Sequence, residues 1–325
     1  AAGRRRRPGD VRPRRGPRRL GPLVGASPPV TGRPPSVSKD LYPFASHYLE
    51  RNGHRLHYVD EGRGAPVLLL HGNPTWSFYY RRVIEDLRVD HRVIALDHLG
   101  CGLSDKPQDY PYRLENHIAN VEYLVDALGL KNLSLVLHDW GGVIGAGYAV
   151  RHPANVVRWA LMNTAAFWPA GYLPLRLRLC RIPRVGEFLI RRFNLFARIA
   201  LRVAVRRPGG LTPEVRRAYL APYDSYAHRI ATARFVLDVP DSPRHPSYAT
   251  AQAVESGLAQ LARLPTRIFW GGRDPIFNAR ILAEWERRFP NAVVDRFPGA
   301  GHYVLEDAHE FILPRLREFL AAPVP

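Results

Sequence analysis

The chain has 325 residues, 46% of them hydrophobic, so it can bury a large core, and no apolar run is long enough to span a bilayer. Its net charge of +18 suggests a nucleic-acid partner, but the charge is confined to two segments. Residues 1–40 hold ten Arg and one Lys against two Asp, and residues 169–218 hold twelve Arg against two Glu. Because no nucleic-acid-binding motif accompanies these segments, we do not expect specific nucleic-acid binding.

Residues 1–40 are rich in Arg, Pro and Gly and are predicted to be a disordered basic tail, because they offer little apolar surface to bury. The cluster Arg4–Arg7 precedes only a short apolar patch, Leu20–Val24, which Gly and Pro interrupt, so an export signal is not expected. The two cysteines, Cys101 and Cys180, have no metal-ligand spacing and favour a reducing compartment. We therefore expect a cytoplasmic protein without a bound metal.

Regular structure is predicted to start with a hairpin, because His47–Leu49 and Arg55–Asp60 flank the turn dipeptide Asn52-Gly53. Short apolar runs then alternate with stretches of helical periodicity such as Leu114–Leu130. This alternation predicts an α/β fold with a mostly parallel sheet covered by helices on both faces. The predicted buried strands are Pro66–Leu70, Arg92–Leu96, Leu133–Leu137, Val157–Met162, Thr266–Trp270 and Val293–Phe297.

The alternation stops between residues 166 and 263, where the sequence gives helical patterns and loops but no convincing buried strand. We therefore predict a core in two parts, residues 41–165 and 264–325, with a helical cap inserted after the sixth core strand. Within the cap, Leu173–Arg207 alternates apolar residues with arginines. That pattern favours an amphipathic helix with a solvated arginine face. The alternative is a cavity wall that also docks on a partner or on anionic lipid.

Asp139 stands where a predicted strand meets a helix, followed by Trp140 and by the glycines Gly141 and Gly142. In a nucleophile elbow, the reactive side chain is held exposed on this kind of turn. The glycines allow the helix to pack close to the turn, and a carboxylate there can attack carbon to leave an ester or an anhydride. The alternative is an ordinary aspartate capping a helix, so the interpretation depends on its partners.

Two further side chains follow predicted strands, Asp274 after Thr266–Trp270 and His302 after Val293–Phe297. Ligands of open α/β sheets bind at these strand ends, and the order nucleophile, acid, histidine is that of the α/β-hydrolase triad. The end of the sixth strand carries Asn163-Thr164, which cannot be charged. Asp274 is therefore the candidate to orient His302 and to stabilise its protonated form, and we predict Asp139, Asp274 and His302 as catalytic.

The segment His71-Gly-Asn-Pro74 follows the strand Pro66–Leu70 directly. The amide of Asn73 and the indole N–H of Trp140 could hold a departing anion, and neighbouring backbone N–H groups could form an oxyanion hole. Alternatively, His71-Gly72 only makes a turn and Trp140 only fills the core.

Three motifs resemble the haloalkane dehalogenase branch of the α/β-hydrolases: His71-Gly-Asn-Pro-Thr-Trp76, Asp97-His-Leu-Gly-Cys-Gly-Leu-Ser-Asp-Lys-Pro107 and His138-Asp-Trp-Gly-Gly142. The resemblance spans about residues 42–315 and implies the α/β-hydrolase fold, a covalent alkyl–aspartate step, an Asn/Trp anion site and no cofactor. Four further stretches are similar to the β-lactone (cis-3-alkyl-4-alkyloxetan-2-one) decarboxylases of bacterial long-chain olefin biosynthesis. They are Asn163–Phe167, Tyr219–Ser225, Arg229–Val236 and Ala283–Pro290.

The narrower resemblance implies conversion of a cis-β-lactone with long alkyl arms to a cis-alkene and carbon dioxide. Asp139 could attack the sp³ ring carbon C4 or the carbonyl carbon, and both remain open. A haloalkane dehalogenase would use the same residues, with His302 activating water. An epoxide hydrolase is a less favoured alternative. It usually has glycine where this chain has Leu137, and its paired cap tyrosines would come from Tyr219, Tyr223, Tyr226 and Tyr248.

The resemblance also implies partners. In the pathway concerned, another enzyme, a synthetase, makes a poorly soluble lactone, so the basic tail and the cap arginines, Arg191 and Arg192 among them, are expected to serve association with that enzyme. Peripheral contact with a membrane is the other expected use of this charge.

Overall fold

A computed structural model describes residues 37–168 and 174–323. Its centre is one eight-stranded sheet. The strands are β1 (His47–Arg51), β2 (His54–Glu61), β3 (Ala65–Leu70), β4 (His91–Leu96), β5 (Leu133–Asp139), β6 (Val156–Thr164), β7 (Thr266–Gly271) and β8 (Val293–Phe297). Their order across the sheet is β1-β2-β4-β3-β5-β6-β7-β8. β2 pairs antiparallel with β1 and β4, and every other neighbouring pair is parallel.

Helices cover the sheet and join its parallel strands. The α-helices are α1 (Arg81–Leu87), α2 (Leu114–Ala127), α3 (Trp140–Arg151), α4 (Leu175–Cys180), α5 (Val185–Phe193), α6 (Leu195–Val203), α7 (Pro213–Leu220), α8 (Ile230–Leu237), α9 (Tyr248–Gly257), α10 (Ala279–Arg288) and α11 (Val304–Ala321). Short 3₁₀ turns lie at Ser77–Tyr80, Pro153–Asn155, Ala221–Tyr223, Ala227–Arg229 and Leu258–Leu261. None of the helices in the described part of the chain is long and apolar enough to cross a membrane.

The core lies in two layers because successive residues of a strand point to opposite faces of the sheet. In β3, Leu68 and Leu70 belong to the apolar cluster that includes α2 and α3, whereas Val67 and Leu69 belong to the cluster that includes α1 and α11. All four are fully buried. Burial on both faces explains why these strands read as continuous apolar runs in the sequence.

The predicted α/β-hydrolase fold is confirmed, and each predicted strand is present with its ends moved by at most two residues. The structure places α4 to α9 between β6 and β7, and the described residues there include no strand. The hairpin at Asn52-Gly53 is also present, since β1 and β2 pair around it.

The predicted tail lies mostly outside the described residues, and its boundary at residue 40 is wrong. Val37 is only 1% exposed and packs in the same apolar cluster as Tyr42 and Phe44. The folded part therefore includes the last four residues assigned to the tail, because a single apolar residue in a polar stretch finds a place in the core.

A buried ion pair joins the cap to the core. Arg81 of α1 donates two hydrogen bonds to the Glu306 carboxylate of α11, at 2.5 and 2.9 Å. The hydroxyl of Tyr219, on cap helix α7, donates to the same carboxylate. The pKa of Glu306 is lowered, because the Arg81 and Tyr219 contacts outweigh the effect of burial, which would raise it. The carboxylate therefore stays charged and holds α7 against both core helices.

Arg191 does not have the role expected from the sequence. Its side chain is buried, donates to Glu187 and Gln108, and lies over the ring of Tyr226. Arg192, the next residue, is exposed. The expectation that both arginines face a partner is wrong for Arg191, because a helix turns neighbouring residues to different sides.

Candidate active site

Asp139 ends β5 and immediately precedes α3, in a strained backbone conformation with φ 50° and ψ −124°. Its side chain makes no capping hydrogen bond to α3. One carboxylate oxygen instead accepts the backbone N–H of Asn73 at 2.7 Å. The ordinary helix-cap interpretation is therefore wrong. Strain of this kind costs about 1–3 kcal/mol and persists only where the surroundings fix it.

Glycines make room for this turn. A Cβ at Gly72 would lie 2.1 Å from a carboxylate oxygen of Asp139, and a Cβ at Gly142 would lie 1.7 Å from the hydroxyl of Thr164. That hydroxyl donates to the Asp139 carbonyl at 2.5 Å. The loop after β3, the end of β6 and the start of α3 thus meet around Asp139 only because two positions lack side chains.

His302 and Asp274 lie beside Asp139, as the sequence predicted. His302 follows β8, and its Nε2 is 3.5 Å from Asp139 Oδ2. Its Nδ1–H donates to Asp274 Oδ2 at 2.7 Å. The second oxygen of Asp274 accepts the backbone N–H groups of Ile276 and Phe277. The three predicted residues therefore form one continuous chain of polar contacts, and each is at least nine-tenths buried.

Asn163 has a role that sequence reasoning missed. Its side-chain N–H donates to Asp274 Oδ2 at 2.9 Å and to the carbonyl of Gly271, and its oxygen accepts the Gly271 N–H. Asn163 also has a positive φ of 36°. Its amide fixes the carboxylate that faces His302. An asparagine at a strand end reads as a turn residue, so the sequence carried no distinguishing signal.

The electrostatics of the group favour an ion pair. Burial alone would lower the pKa of His302, but the Asp274 and Asp139 carboxylates outweigh it and raise that pKa to about 10. Burial would raise the pKa of Asp139, but the contact with His302 outweighs it and lowers that pKa. At neutral pH the site therefore holds a carboxylate beside an imidazolium.

His138 packs beside this pair and stays neutral. Burial, followed by repulsion from His302, lowers its pKa to about 3. Its ring lies 4.6 Å from the His302 ring, and its Nε2–H donates to the His302 carbonyl at 2.9 Å. The ring of Phe277 stacks on His302 at 5.6 Å. These neighbours hold the imidazole of His302 in place without competing for its proton.

Asn73 and Trp140 both border the cavity next to Asp139. One N–H of the Asn73 amide donates to the carbonyl of Thr232, on cap helix α8, at 3.1 Å, while its oxygen has no partner. Within the described part of the chain, the indole N–H of Trp140 has no protein acceptor. The structure therefore places both predicted anion-binding groups in the cavity wall beside Asp139. It also ties Asn73 to the cap, which the sequence did not predict.

The cavity in front of Asp139 has a volume of about 540 Å³, within the usual range for small-molecule sites. Cap helices α4, α5 and α6 supply a large part of its wall, chiefly with leucine, isoleucine, phenylalanine, alanine and valine side chains. The polar groups are almost all at one end, where Asn73, Asp139, Trp140 and His302 lie. The site therefore accepts an apolar molecule whose reacting group meets the polar end.

The four cap tyrosines do not serve this site. None lies among the described lining residues. Tyr219 bonds to Glu306, Tyr223 bonds to the Thr75 carbonyl, Tyr226 packs on Arg191, and Tyr248 lines a separate surface depression. The described residues therefore provide no paired hydroxyls to protonate an epoxide oxygen. Nor do they include a cluster of three or more His, Cys, Asp or Glu that could hold a metal ion. A sheet of this topology with an aspartate at its elbow defines the α/β-hydrolase class that carries a carboxylate in place of a serine.

Comparison with known proteins gives the same class. A family model described as the alpha/beta hydrolase fold matches residues 65–181. A cis-3-alkyl-4-alkyloxetan-2-one decarboxylase of Shewanella oneidensis is 45% identical over 285 residues, which cover 86% of this chain and 89% of that protein. Haloalkane dehalogenase 2 of Mycobacterium tuberculosis is 34% identical over 281 residues, covering 86% and 96%. The crystal structure of a putative ancestral haloalkane dehalogenase is 28% identical, with a TM-score of 0.76, covering 85% and 99%. The chain belongs to the α/β-hydrolase family, in the branch that includes haloalkane dehalogenases and β-lactone decarboxylases.

Proposed function

We propose that this protein is a β-lactone decarboxylase that converts cis-3-alkyl-4-alkyloxetan-2-ones to cis-alkenes and carbon dioxide. The observation that carries the proposal is the 45% identity to a decarboxylase of that name, which extends over 86% of this chain and so includes most of the cap. The cavity supports it, because an apolar chamber with its polar groups at one end suits a small polar ring that bears alkyl arms. We further propose a place in long-chain olefin formation in the cytoplasm, where another enzyme supplies the lactone.

In the first step, Asp139 attacks C4 of the ring and the C4–O bond breaks. The ring oxygen leaves as part of a carboxylate, and the enzyme carries an alkyl ester. Asn73 and Trp140 would bind that carboxylate, since both border the cavity beside the nucleophile and present N–H groups. Donors aimed at a developing charge lower the barrier because they need no rearrangement when the charge appears.

In the second step, the bond between C3 and the carboxylate breaks and its electron pair forms the C3=C4 double bond. Carbon dioxide is released, and the C4–O bond to Asp139 breaks to restore the aspartate. Inversion at C4 followed by anti elimination carries the cis ring into a cis alkene. His302 would favour this departure, because an imidazolium 3.5 Å from Oδ2 of Asp139 stabilises the negative charge that returns to the carboxylate.

Hydrolysis of the same intermediate would require His302 in a different protonation state. To activate water, His302 must be neutral, yet Asp274 stays beside it after Asp139 has become a neutral ester. Elimination requires neither water nor a base. Of the two carboxylates that raise the pKa of His302, Asp274 keeps its charge in this intermediate, which favours the protonated ring that elimination uses.

Product analysis tests the proposal. The purified enzyme is incubated with a long-chain cis-β-lactone and, separately, with a 1-haloalkane, and the products are identified by gas chromatography and mass spectrometry. We expect cis-alkene and carbon dioxide in equal amounts. A β-hydroxy acid as the only lactone product, or alcohol and halide without any alkene, would contradict the proposal. The same assay on Asp139→Ala should give almost no alkene. Its matched control is Asp126→Ala, because Asp126 is exposed on α2.

Trapping distinguishes attack at C4 from attack at the carbonyl carbon. Attack at the carbonyl would leave a mixed anhydride on Asp139, which hydroxylamine converts rapidly to a hydroxamate. Attack at C4 leaves an alkyl ester, which reacts slowly. We expect the mass of an alkyl adduct on the peptide that contains Asp139 after rapid quenching, and a hydroxamate there would contradict the first step as written.

A further inference from the structure

Most of the large apolar side chains that are exposed in the described part of the chain lie between residues 175 and 199 of the cap. Phe188 and Phe193 are each 51% exposed, and their rings are 6.0 Å apart. α5 and α6 are amphipathic and leave part of their apolar residues in solvent, and contiguous exposed patches of this kind mark interaction sites. We define the cap face by six apolar residues: Leu179, Ile182, Phe188, Phe193, Leu195 and Ile199.

Arginines lie among these apolar residues on the same helices and on the turn between α4 and α5. Arg181 pairs with Asp241 and Arg191 pairs with Glu187, whereas five other arginines, all exposed, have no carboxylate partner among the described residues. Glu187 is the one acidic residue of residues 175–203, and it is already bonded to Arg191. The exposed unpaired arginines are Arg178, Arg184, Arg192, Arg198 and Arg202.

The cap face shares residues with the cavity wall. Leu179, Leu195 and Ile199 are exposed to solvent and also line the cavity that contains Asp139. These three side chains therefore join the apolar part of the cap face to the apolar wall of the cavity.

We propose that the cap face lies on the surface of a lipid bilayer that contains anionic lipids. Apolar side chains would enter the boundary between headgroups and acyl chains, and the arginines would bind lipid phosphates. Arginine and aromatic residues are also enriched at protein interfaces, so composition alone does not separate a protein partner from a bilayer. The bilayer is favoured because three residues of the same face also line the apolar cavity. The further step, that the substrate passes from the bilayer into the cavity, rests on the proposed function.

The test uses the full chain and vesicles of phosphatidylcholine alone or with 30% phosphatidylglycerol, separated by sedimentation. We expect binding to the anionic vesicles. Phe188→Ser with Phe193→Ser should weaken this binding at least about tenfold. Each change removes the apolar surface of the exposed half of a phenylalanine, which the bilayer would otherwise bury. Arg198→Gln with Arg202→Gln should also weaken it about tenfold or more, most strongly at low salt. None of these four side chains lines the cavity, so each variant should keep the wild-type rate on detergent-dispersed substrate.

The matched control is Phe311→Ser with Arg63→Gln. Phe311 is exposed on α11, and Arg63 is exposed in the turn between β2 and β3, at the opposite edge of the sheet from Asp139. This variant should bind vesicles as the wild type does. The proposal is overturned if wild type does not sediment with anionic vesicles, or if both cap variants bind like wild type, which would assign binding to another part such as residues 1–36. It is also overturned if the cap variants still bind vesicles but no longer bind a protein partner. Vesicle binding needs no substrate, so its outcome is independent of the proposed reaction.

Discussion

Asp274→Asn is the substitution that tests the electrostatic account of the site most directly. It keeps the shape of the side chain and removes the charge that contributes most to the raised pKa of His302. An amide at this position must also present N–H groups either to His302 and Asn163 or to the backbone N–H groups of Ile276 and Phe277. Every orientation therefore sets donor against donor, and we expect a loss of stability of about 1–3 kcal/mol.

The expected loss of rate follows from the pKa. Asp274 and Asp139 together raise the pKa of His302 to about 10, so Asp274→Asn should lower that pKa by removing one of the two carboxylates. If the departure of Asp139 depends on that ring being charged, the rate should fall by about three orders of magnitude. Removal of the acid from a serine-protease triad has an effect of similar size.

The assay is alkene formation in a single turnover between pH 6 and 9, with thermal melting as the measure of folding. Asn163→Asp added to Asp274→Asn supplies a rescue test, because Asn163 lies within hydrogen-bond distance of the same carboxylate oxygen as His302. We expect at least tenfold recovery in the double variant. A folded Asp274→Asn protein that keeps a rate within about threefold of wild type would refute the reasoning.

The same variant has a signature in the pH dependence of stability. A histidine whose folded pKa is raised stabilises the fold fully below its unfolded pKa, near 6.5, and loses this contribution as pH rises through about 10. The stability difference between wild type and Asp274→Asn should therefore shrink from pH 6.5 towards pH 10. Chemical denaturation across that range measures it, and a difference that grows with pH would contradict the assignment.

Three other predictions follow from the contacts. Asp139→Ala should remain folded and lose at least about three orders of magnitude in turnover, as nucleophile removal does in triad enzymes; near-wild-type turnover would exclude it as the nucleophile. Asn73→Ala should slow ring opening about 10²–10³-fold and destabilise the fold by about 1 kcal/mol, because the Thr232 carbonyl loses its partner; an unchanged first step in stopped-flow measurements would remove Asn73 from the anion site. Glu306→Gln should cost about 3–5 kcal/mol in urea denaturation, since it leaves Arg81 buried without a countercharge; a cost below 1 kcal/mol would show that water or rearrangement replaces the pair.

Much of this arrangement could be predicted from local sequence. Buried parallel strands read as apolar runs, and the placement of Asp139, Asp274 and His302 after three of them follows from the direction of parallel strands alone. The positions of Asn73 after a buried strand and of Trp140 beside Asp139 suggested an anion site, and both residues border the cavity.

The rest depended on contacts between residues far apart in the chain. Asn163 orients Asp274 across 111 positions, and no local pattern distinguishes it from a turn asparagine. The burial of Arg191 depends on Gln108, 83 positions away, so the segment looked uniformly solvated in sequence. Tyr219, Tyr223, Tyr226 and Tyr248 suggested hydroxyls near the site. The first two instead bond to core residues, and the other two make contacts elsewhere on the cap.

The contact of Tyr219 with Glu306 has a consequence for building hybrid enzymes from this family. Exchanging the cap for that of a relative is an obvious way to change the range of alkyl chains that the enzyme accepts. A donor cap without a hydroxyl at position 219 would take from Glu306 the hydrogen bond that this tyrosine supplies. A workable graft should therefore keep the tyrosine or replace Arg81 and Glu306 together by apolar residues of matching volume. Compatibility at this one junction, rather than overall likeness, should decide which caps can be exchanged.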